Sequence, residues 1–326
     1  MVHALILCCT SPSWASSPPV QPVRSFQLSV EVTVPRAEGD APIELFLPVP
    51  SSGPHQTLSG LELSGPVSGE FATESAFGNR YWHATIPAAS TPARFAMTLT
   101  VERSAFRVDL GTAEARALSA GEREQHAQAL AATPLVPVGD DVESLAPLLA
   151  EVRAARTNAE PASTARAIYD WVSTHMEYKK VGTGWGNGDT FWACSNKYGN
   201  CTDFHSVFLS LARTEGIPAS FEMGFPVPTD RKSGEIAGYH CWVRFWLPGV
   251  GWVPLDASEA AKHPERREAL YGGLPADRVR FSRGRDLRLG PAHKGKALNY
   301  FIYPYAERDG AAWDGPITRR ITYADE

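Results

Sequence analysis

The sequence lacks a long apolar run. Its longest uninterrupted stretch, Ala4 to Cys9, spans six residues, and a membrane-crossing helix needs about 20. No membrane span is therefore expected. A strong charge of one sign is also missing. The chain carries 31 Lys and Arg against 36 Asp and Glu, a net charge of −5. No basic stripe stands out, so a nucleic-acid partner is not expected. Cysteine is scarce, with five in 326 residues, and no C-x-x-C pair suggests a zinc ribbon. With 43% hydrophobic and 21% charged residues, the chain can bury a packed core. At roughly 100–200 residues per domain, its length suggests two domains. Glycine (27) and proline (26) are plentiful, which points to many turns, β-structure and long loops.

The N-terminus reads MVHALILCCTSPSWASS. A short apolar stretch precedes Ser13-Trp14-Ala15, a small-x-small cleavage pattern. Residues 1–15 are thus expected to be a signal peptide, and the protein secreted or periplasmic. With no Lys or Arg before Arg24, the alternative is a cytoplasmic chain with a loose tail. Cleavage leaves Cys194, Cys201 and Cys241. Three is odd, so at least one thiol stays unpaired in a monomer.

The first half alternates with the period of strands. Phe26 to Val34 reads FQLSVEVTV, apolar and polar by turns. Ile43 to Pro48, Tyr81 to Ile86 and Phe95 to Val101 are further candidates, separated by turn clusters such as Ser51-Ser52-Gly53-Pro54. Residues 24–111 are read as a β-sandwich-like domain for docking or packing. Residues 112–139, rich in Ala, Glu and Arg and broken near Gly121, are read as a helical connector. From residue 140 to 326 helix and strand patterns mix. Leu145, Leu148, Leu149 and Val152 fall at helical spacing, as do Ala165, Ile168, Val172 and Met176 after Pro161. The loop from Gly182 to Asn200 is long enough to suggest a function.

Cys201 opens the next helix. Phe204, Val207, Phe208 and Leu211 form its apolar face. Gly216-Ile217-Pro218 reads as its stop. In the first turn, free amides and the macrodipole favour a thiolate and can cradle an oxyanion. Downstream, Gly238 to Leu247 and Trp252 to Ala257 read as a hairpin around Pro248-Gly249-Val250-Gly251. A three-residue loop pairs Trp242 with Asp256 and sets His240 diagonally beside Asp256 on one face. A two-residue loop separates them. The first register is preferred, with Pro254 at a bulge or edge. A thiol, an imidazole and a carboxylate are what nucleophilic acyl transfer needs.

Tyr198-Gly199-Asn200-Cys201-Thr202-Asp203-Phe204-His205, followed by Gly216-Ile217-Pro218-Ala219, resembles the core motif of the transglutaminase-like superfamily. Gly238 to Trp242 and Gly251 to Asp256 look like its second and third motifs, and Asn299 to Glu307 like the C-terminal part of bacterial members. The resemblance implies an α+β class: a papain-like core, with the cysteine helix packed on an antiparallel sheet. It implies catalytic roles for Cys201 (nucleophile), His240 (base) and Asp256 (orienter). It does not fix the reaction, since members include cross-linkers, proteases, deamidases and inactive proteins. Some members use an upstream side chain as second oxyanion donor. Trp185, Trp192 and Asn196 precede Cys201, and Trp192 is the favoured candidate.

The expected function is acyl transfer on a protein or peptide amide through a Cys201 thioester, with hydrolysis favoured over transamidation. The alternative is an inactive binding module. No cofactor is expected. A zinc site from Cys194, Cys201, His205, His240 and Cys241 is disfavoured, because His240 and Cys241 point to opposite strand faces. No carboxylate-rich calcium loop occurs. His205 is expected to pack beside the site, and Cys241 to be buried or disulfide-bonded to Cys194. Trp185 and Trp242 are candidates to wall a substrate pocket. Arg283-Gly284-Arg285-Asp286 reads as a solvated turn, or else as a charged loop near the site. The oligomeric state is left open.

Overall fold

The computed structural model describes residues 22–326. The expected signal segment, with Cys8 and Cys9, lies outside the described residues.

The period-two pattern of the first half folds into strands. β1 (Val23–Val34) buries Phe26, Leu28, Val32 and Val34 and turns Gln27 and Glu31 to solvent. It pairs antiparallel with β6 (Ala93–Ser104) along its whole length. Between them lie β2 (Ile43–Val49), β3 (Gln56–Ser64), β4 (Glu70–Thr73) and β5 (Arg80–Ile86). β3 and β4 escape a hydrophobic reading because they are sheet-edge strands with mostly exposed or half-buried residues. β3 is also broken by a bulge between Ser59 and Glu62.

The connector forms two short helices, α1 (Ala120–Gln125) and α2 (Ala127–Leu130). The break falls at His126 rather than Gly121. α3 (Ala146–Ala155) follows. α4 (Pro161–His175) starts with proline, whose missing N–H is no loss there. Its Ala165, Ile168 and Val172 face the core, with Met176 buried just past the end. Inside the long loop sits α5 (Thr190–Asn196), started by Asp189, whose carboxylate accepts from the amides of Phe191 and Trp192.

α6 (Cys201–Thr214) is the central helix, buried from Cys201 to Arg213. Its stop is as read: Gly216 takes φ +75°, its amide reaches the Arg213 carbonyl, and the Ile217 amide reaches Ala212. One side of α6 lies against α4, the other against a four-stranded antiparallel sheet. That sheet contains β7 (Ala219–Pro226), β9 (His240–Leu247), β10 (Gly251–Leu255) and β11 (Arg278–Arg283), in the order β10-β9-β7-β11. β8 (Ser233–Glu235) leaves it, and α7 (Ala257–Lys262) follows β10. The class is α+β, with the cysteine helix on an antiparallel sheet.

The strand pairing crosses the boundary drawn at residue 140. β12 (Tyr305–Arg308) joins β2, with β13 (Ala311–Ala312) outside it. β14 (Thr318–Asp325) joins β1, and β8 joins β14. The sheet orders are β8-β14-β1-β6-β3 and β13-β12-β2-β5-β4. Without β14 and β12, β1 and β2 would each show a bare edge of unpaired backbone groups. The first layer also closes the edge of β11. The Gln56 side chain donates to the Arg280 carbonyl (2.9 Å) and accepts from its amide (2.8 Å). Asn79 does the same at Arg283, both at 2.8 Å.

Among the described residues, no helix is long and apolar enough to cross a membrane. Phe208 of α6 is fully buried and packs on Phe245 of β9, ring centroids 6.0 Å apart. Phe208→Ala is expected to lower the free energy of urea unfolding by about 3–5 kcal/mol. A loss under about 1 kcal/mol would contradict the central place given to α6.

Candidate active site

Cys201 is the first residue of α6. The preceding Asn200 is the cap, its side-chain oxygen accepting from the Thr202 amide at 2.8 Å. Asp203, two residues after the cysteine, reaches back to the Asn200 amide at 2.9 Å and closes the capping box. The same carboxylate accepts from the amides of Gly186 (2.7 Å) and Gly188 (3.0 Å), pinning the glycine-rich loop over the helix start. Burial pushes the Asp203 pKa up, against the pull of these amides. Gly188 takes φ +59°, and a Cβ there would lie 2.7 Å from Thr202 Cγ2. Glycine is therefore required.

Arg285 holds the far side of that loop. It is buried and donates to the carbonyls of Gly188 (2.7 Å) and Asn187 (2.8 Å) and to Asn299 (2.9 Å). The solvated-turn reading is corrected: Arg285 is buried and its guanidinium fork is spent on the loop carbonyls, the Asn187 carbonyl also accepting from Asn299 Nδ2 at 2.7 Å. Tyr239 adds a clasp: its hydroxyl accepts from Asn200 Nδ2 (3.0 Å) and pairs with Thr202 Oγ1 (2.9 Å).

β9 and β10 meet through the three-residue loop 248–250, with Leu247 opposite Gly251 and Val243 opposite Leu255. This is the register in which His240 and Asp256 share a face. Pro254 sits on the sheet's edge strand, where its missing N–H costs no ladder bond. His240 Nε2 lies 2.7 Å from Asp256 Oδ2. Asp256 also starts α7, its Oδ1 accepting from the Glu259 amide (3.0 Å) and the Ser258 hydroxyl (3.1 Å). Arg278 Nη1 donates to Oδ2 at 3.1 Å.

With Nε2 turned to Asp256, the other ring nitrogen of His240 is left for Cys201, and each group shifts the other's pKa. Burial by itself would raise the thiol. Hydrogen bonds from Cys241 and His240, and the His240 charge, bring Cys201 well below its ordinary value. Burial would lower His240, yet Asp256 and the thiolate raise it to about 10. Burial would raise Asp256, but His240 and Arg278 hold it well below the carboxylate range. The three groups form a buried thiolate–imidazolium–carboxylate row.

Beneath it lies a second thiol. Cys241 Sγ is 3.5 Å from His205 Nδ1. His205 Nε2 accepts from the Ala257 amide at 3.2 Å, so Nδ1 carries the proton. Burial lowers His205 to about 4 and keeps it neutral. Cys241, pushed well up by burial and by Cys201, keeps its proton; its Sγ lies 3.9 Å from Thr202 Oγ1, and its hydrogen-bonding pull is among the causes that lower Cys201. All three described cysteines are free, so the expected Cys194–Cys241 disulfide is absent. Cys194 sits on α5, its thiol pushed up to about 12 by burial.

The tryptophans part company. Trp242 is 0% exposed, donates to Glu222 at 2.7 Å and lies under Arg278, 4.9 Å from its ring centroid. It is corrected from a pocket wall to a core residue. Trp185 is half-buried and bonds the Gly182 carbonyl within its own loop at 3.2 Å. Trp192 stands edge-on to Tyr198, centroids 5.1 Å apart, with its indole nitrogen beside Gly184. Neither contact reaches Cys201. The cleft that opens at His240 has a volume of about 330 Å³ and is lined by Glu259, Arg231, Arg266, Asp277 and Arg278.

Sequence reasoning missed Arg278, Tyr239 and Asp203 as site residues. The Asn-x-x-Asp cap pattern around Cys201 could have flagged Asp203. Nothing in spacing points to Arg278, which comes from another strand.

The family model of the transglutaminase-like superfamily matches residues 148–257. That span runs from α3 through Cys201, His240 and Asp256. It is a transglutaminase-like core. An uncharacterized protein of Haemophilus influenzae is 26% identical over 335 residues, covering 87% of this chain and 85% of that one. A crystal structure from Cytophaga hutchinsonii, described as a candidate cysteine protease, matches with a TM-score of 0.60 and 15% identity. The match covers 94% of this chain and 98% of that one. Its likeness shows a shared fold.

Two outcomes are expected at this transglutaminase-like core. Iodoacetamide should label Cys201 ahead of Cys194 and Cys241, at a rate nearly flat from about pH 6 to 9, read by peptide mass spectrometry. A free thiol would instead speed up through about pH 8.5. Cys241→Ala removes the S–H donor, so labelling near pH 5.5 should slow by about tenfold, and Cys241→Ser should restore it in part. Equal rates in all three proteins would remove Cys241 from the thiolate's support.

Proposed function

We propose that this protein is a thiol enzyme acting on amides of a protein or peptide, with Cys201 as nucleophile, His240 as proton carrier and Asp256 as orienter. The observation that carries this reading is the buried His240 ring, 2.7 Å from the Asp256 carboxylate, with its other nitrogen left for Cys201 at the start of α6. The transglutaminase-like fold supports it.

The chemistry runs in two halves. The Cys201 thiolate attacks the amide carbonyl carbon, and the carbonyl electron pair moves to oxygen. The Cys201 amide, in the first turn of α6, is available to donate to that oxyanion. His240 gives its proton to the leaving nitrogen, the C–N bond breaks, and a thioester remains. A water then gives a proton to the neutral imidazole and attacks the thioester. The C–S bond breaks, and acid and thiolate are restored. Asp256 holds the ring and balances its charge at both stages.

Hydrolysis is favoured over transfer to an amine. The cleft beside His240 carries charged groups such as Glu259, Arg266 and Asp277 among apolar ones such as Val227 and Ile236, and charged groups on its wall draw water toward the thioester. The apolar stretch before Ser13-Trp14-Ala15 supports export to the periplasm or beyond. N-terminal sequencing of the mature chain decides that point.

Incubation with a peptide library in ¹⁸O-water, with and without methylamine, tests the reaction. Products carrying one ¹⁸O, and an acid-quenched adduct on Cys201 released by hydroxylamine, are expected. Asp256→Asn should cut turnover by about 10⁴-fold with Cys201 retained. Methylamide products in place of acids would reverse the choice of acceptor. A fast-labelling Cys201 that forms no adduct with any peptide would point to the inactive module.

A further inference from the structure

A second cavity, of about 210 Å³, lies between the first β-layer and the catalytic sheet. It shares no lining residue with the cleft at His240. Its walls carry four guanidinium groups, from Arg103, Arg244, Arg280 and Arg283, and one carboxylate, Glu222. Three of the arginines turn to that carboxylate. Arg283 Nε donates to it at 2.9 Å, while Arg244 and Arg280 lie 3.7 and 4.0 Å away. Glu222 is already bonded to Trp242.

Arg103 is left over. It is 5% exposed, and its Nε is buried without a hydrogen-bond partner, as is that of Arg244. No carboxylate lies within ion-pair distance of it among the described residues. A buried, uncompensated guanidinium is costly, and folding would replace it unless something on the other side repays the cost. Four positive groups against one negative leave an excess of three. Arginine forks match the oxygens of a phosphate two at a time. Two aromatic faces complete the wall: Trp252, 4.3 Å beneath Arg244, and Phe106, beneath Arg103 at 5.7 Å and stacked on His55. The cavity is smaller than the roughly 300 Å³ at which drug-sized pockets begin. It fits a small group and excludes a folded partner.

We propose that this cavity binds a dianionic phosphate group, free or as a small phosphomonoester, with Arg103 supplying the unshared fork. A dianion answers the threefold excess better than a single carboxylate.

Calorimetric titration of the full chain with inorganic phosphate, at constant ionic strength against chloride, tests this. One saturable site per chain is expected. Arg103→Met should weaken it by about tenfold or more, and Arg103→Lys by less. Glycerol phosphate is the second probe. Tighter binding than phosphate assigns the site to an ester, and equal or weaker binding to the free ion. Because Arg103 carries uncompensated charge, Arg103→Met should melt no lower than wild type in phosphate-free buffer. Phosphate should raise the melting point of wild type alone. If Arg103→Met fails to fold, Arg283→Gln, whose side chain is partly exposed, must show the same loss of phosphate affinity. No saturable phosphate binding, equal affinity in wild type and variants, or a preference for succinate over phosphate would overturn the proposal.

Discussion

The structure turns on one buried carboxylate. Asp256 has no solvent exposure, yet its charge is met from every side: His240 and Arg278 at Oδ2, Ser258 and the Glu259 amide at Oδ1. An unpaired charge there would cost several kcal/mol, on the order of the whole stability of a domain. Each partner is thereby fixed. The Glu259 amide fixes the start of α7. Arg278 ties the start of β11 to the end of β10 across the two strands between them. His240 fixes the register of the hairpin, because a one-residue slip would send the imidazole to the other face. The carboxylate that orients the base also holds together the elements that carry it.

The β-layers make this arrangement possible. β11 is the outer strand of the catalytic sheet, and its open edge is taken by the side-chain amides of Gln56 and Asn79. Each amide mimics a peptide group, donating and accepting at once. Arg278, at the start of β11, is aimed by a strand that is itself held by the first layer. The chain's last strand returns to pair with its first, so Asp325 sits opposite Phe26. The long-range pairing joins the two halves, and a buried apolar cluster runs through both.

Much of the site was legible from local rules. The first-turn cysteine, the αL stop at Gly216 and the loop length that pairs β9 with β10 are each set by a few neighbouring residues. Their physics is written in the segment that uses it. What was not legible came from distant strands. Arg278 reaches Asp256 from 22 positions on, and no periodicity announces such a meeting. The same holds for Cys241. Alternation put it on the face away from His240, and that face is the one against α6. Read alone, the position suggested a packing residue or a disulfide. In the fold, β9 starts beside the α6 N-terminus, so both faces of the strand converge on Cys201. Trp242 fails as a pocket wall for a related reason. It shares the His240 face, but Arg278 and Glu222 cover it.

β9 therefore separates two environments. Cys241, Val243 and Phe245 share one face and are apolar, Cys241 and Phe245 meeting His205 and Phe208 of α6, while His240, Trp242 and Arg244 share the other. On that second face, charge alternates from Asp256 through Arg278 and Trp242 to Glu222, and then to the arginine cavity. A thiolate costs less here than in an apolar interior because the His240 charge stands beside it. The second thiol, His205 and the Ala257 amide act from the opposite side through hydrogen bonds that carry no net charge. Cys201 is thus supported on one face by field and on the other by donors. Neither support requires the cysteine to be exposed to water, and at 2% exposure it is not.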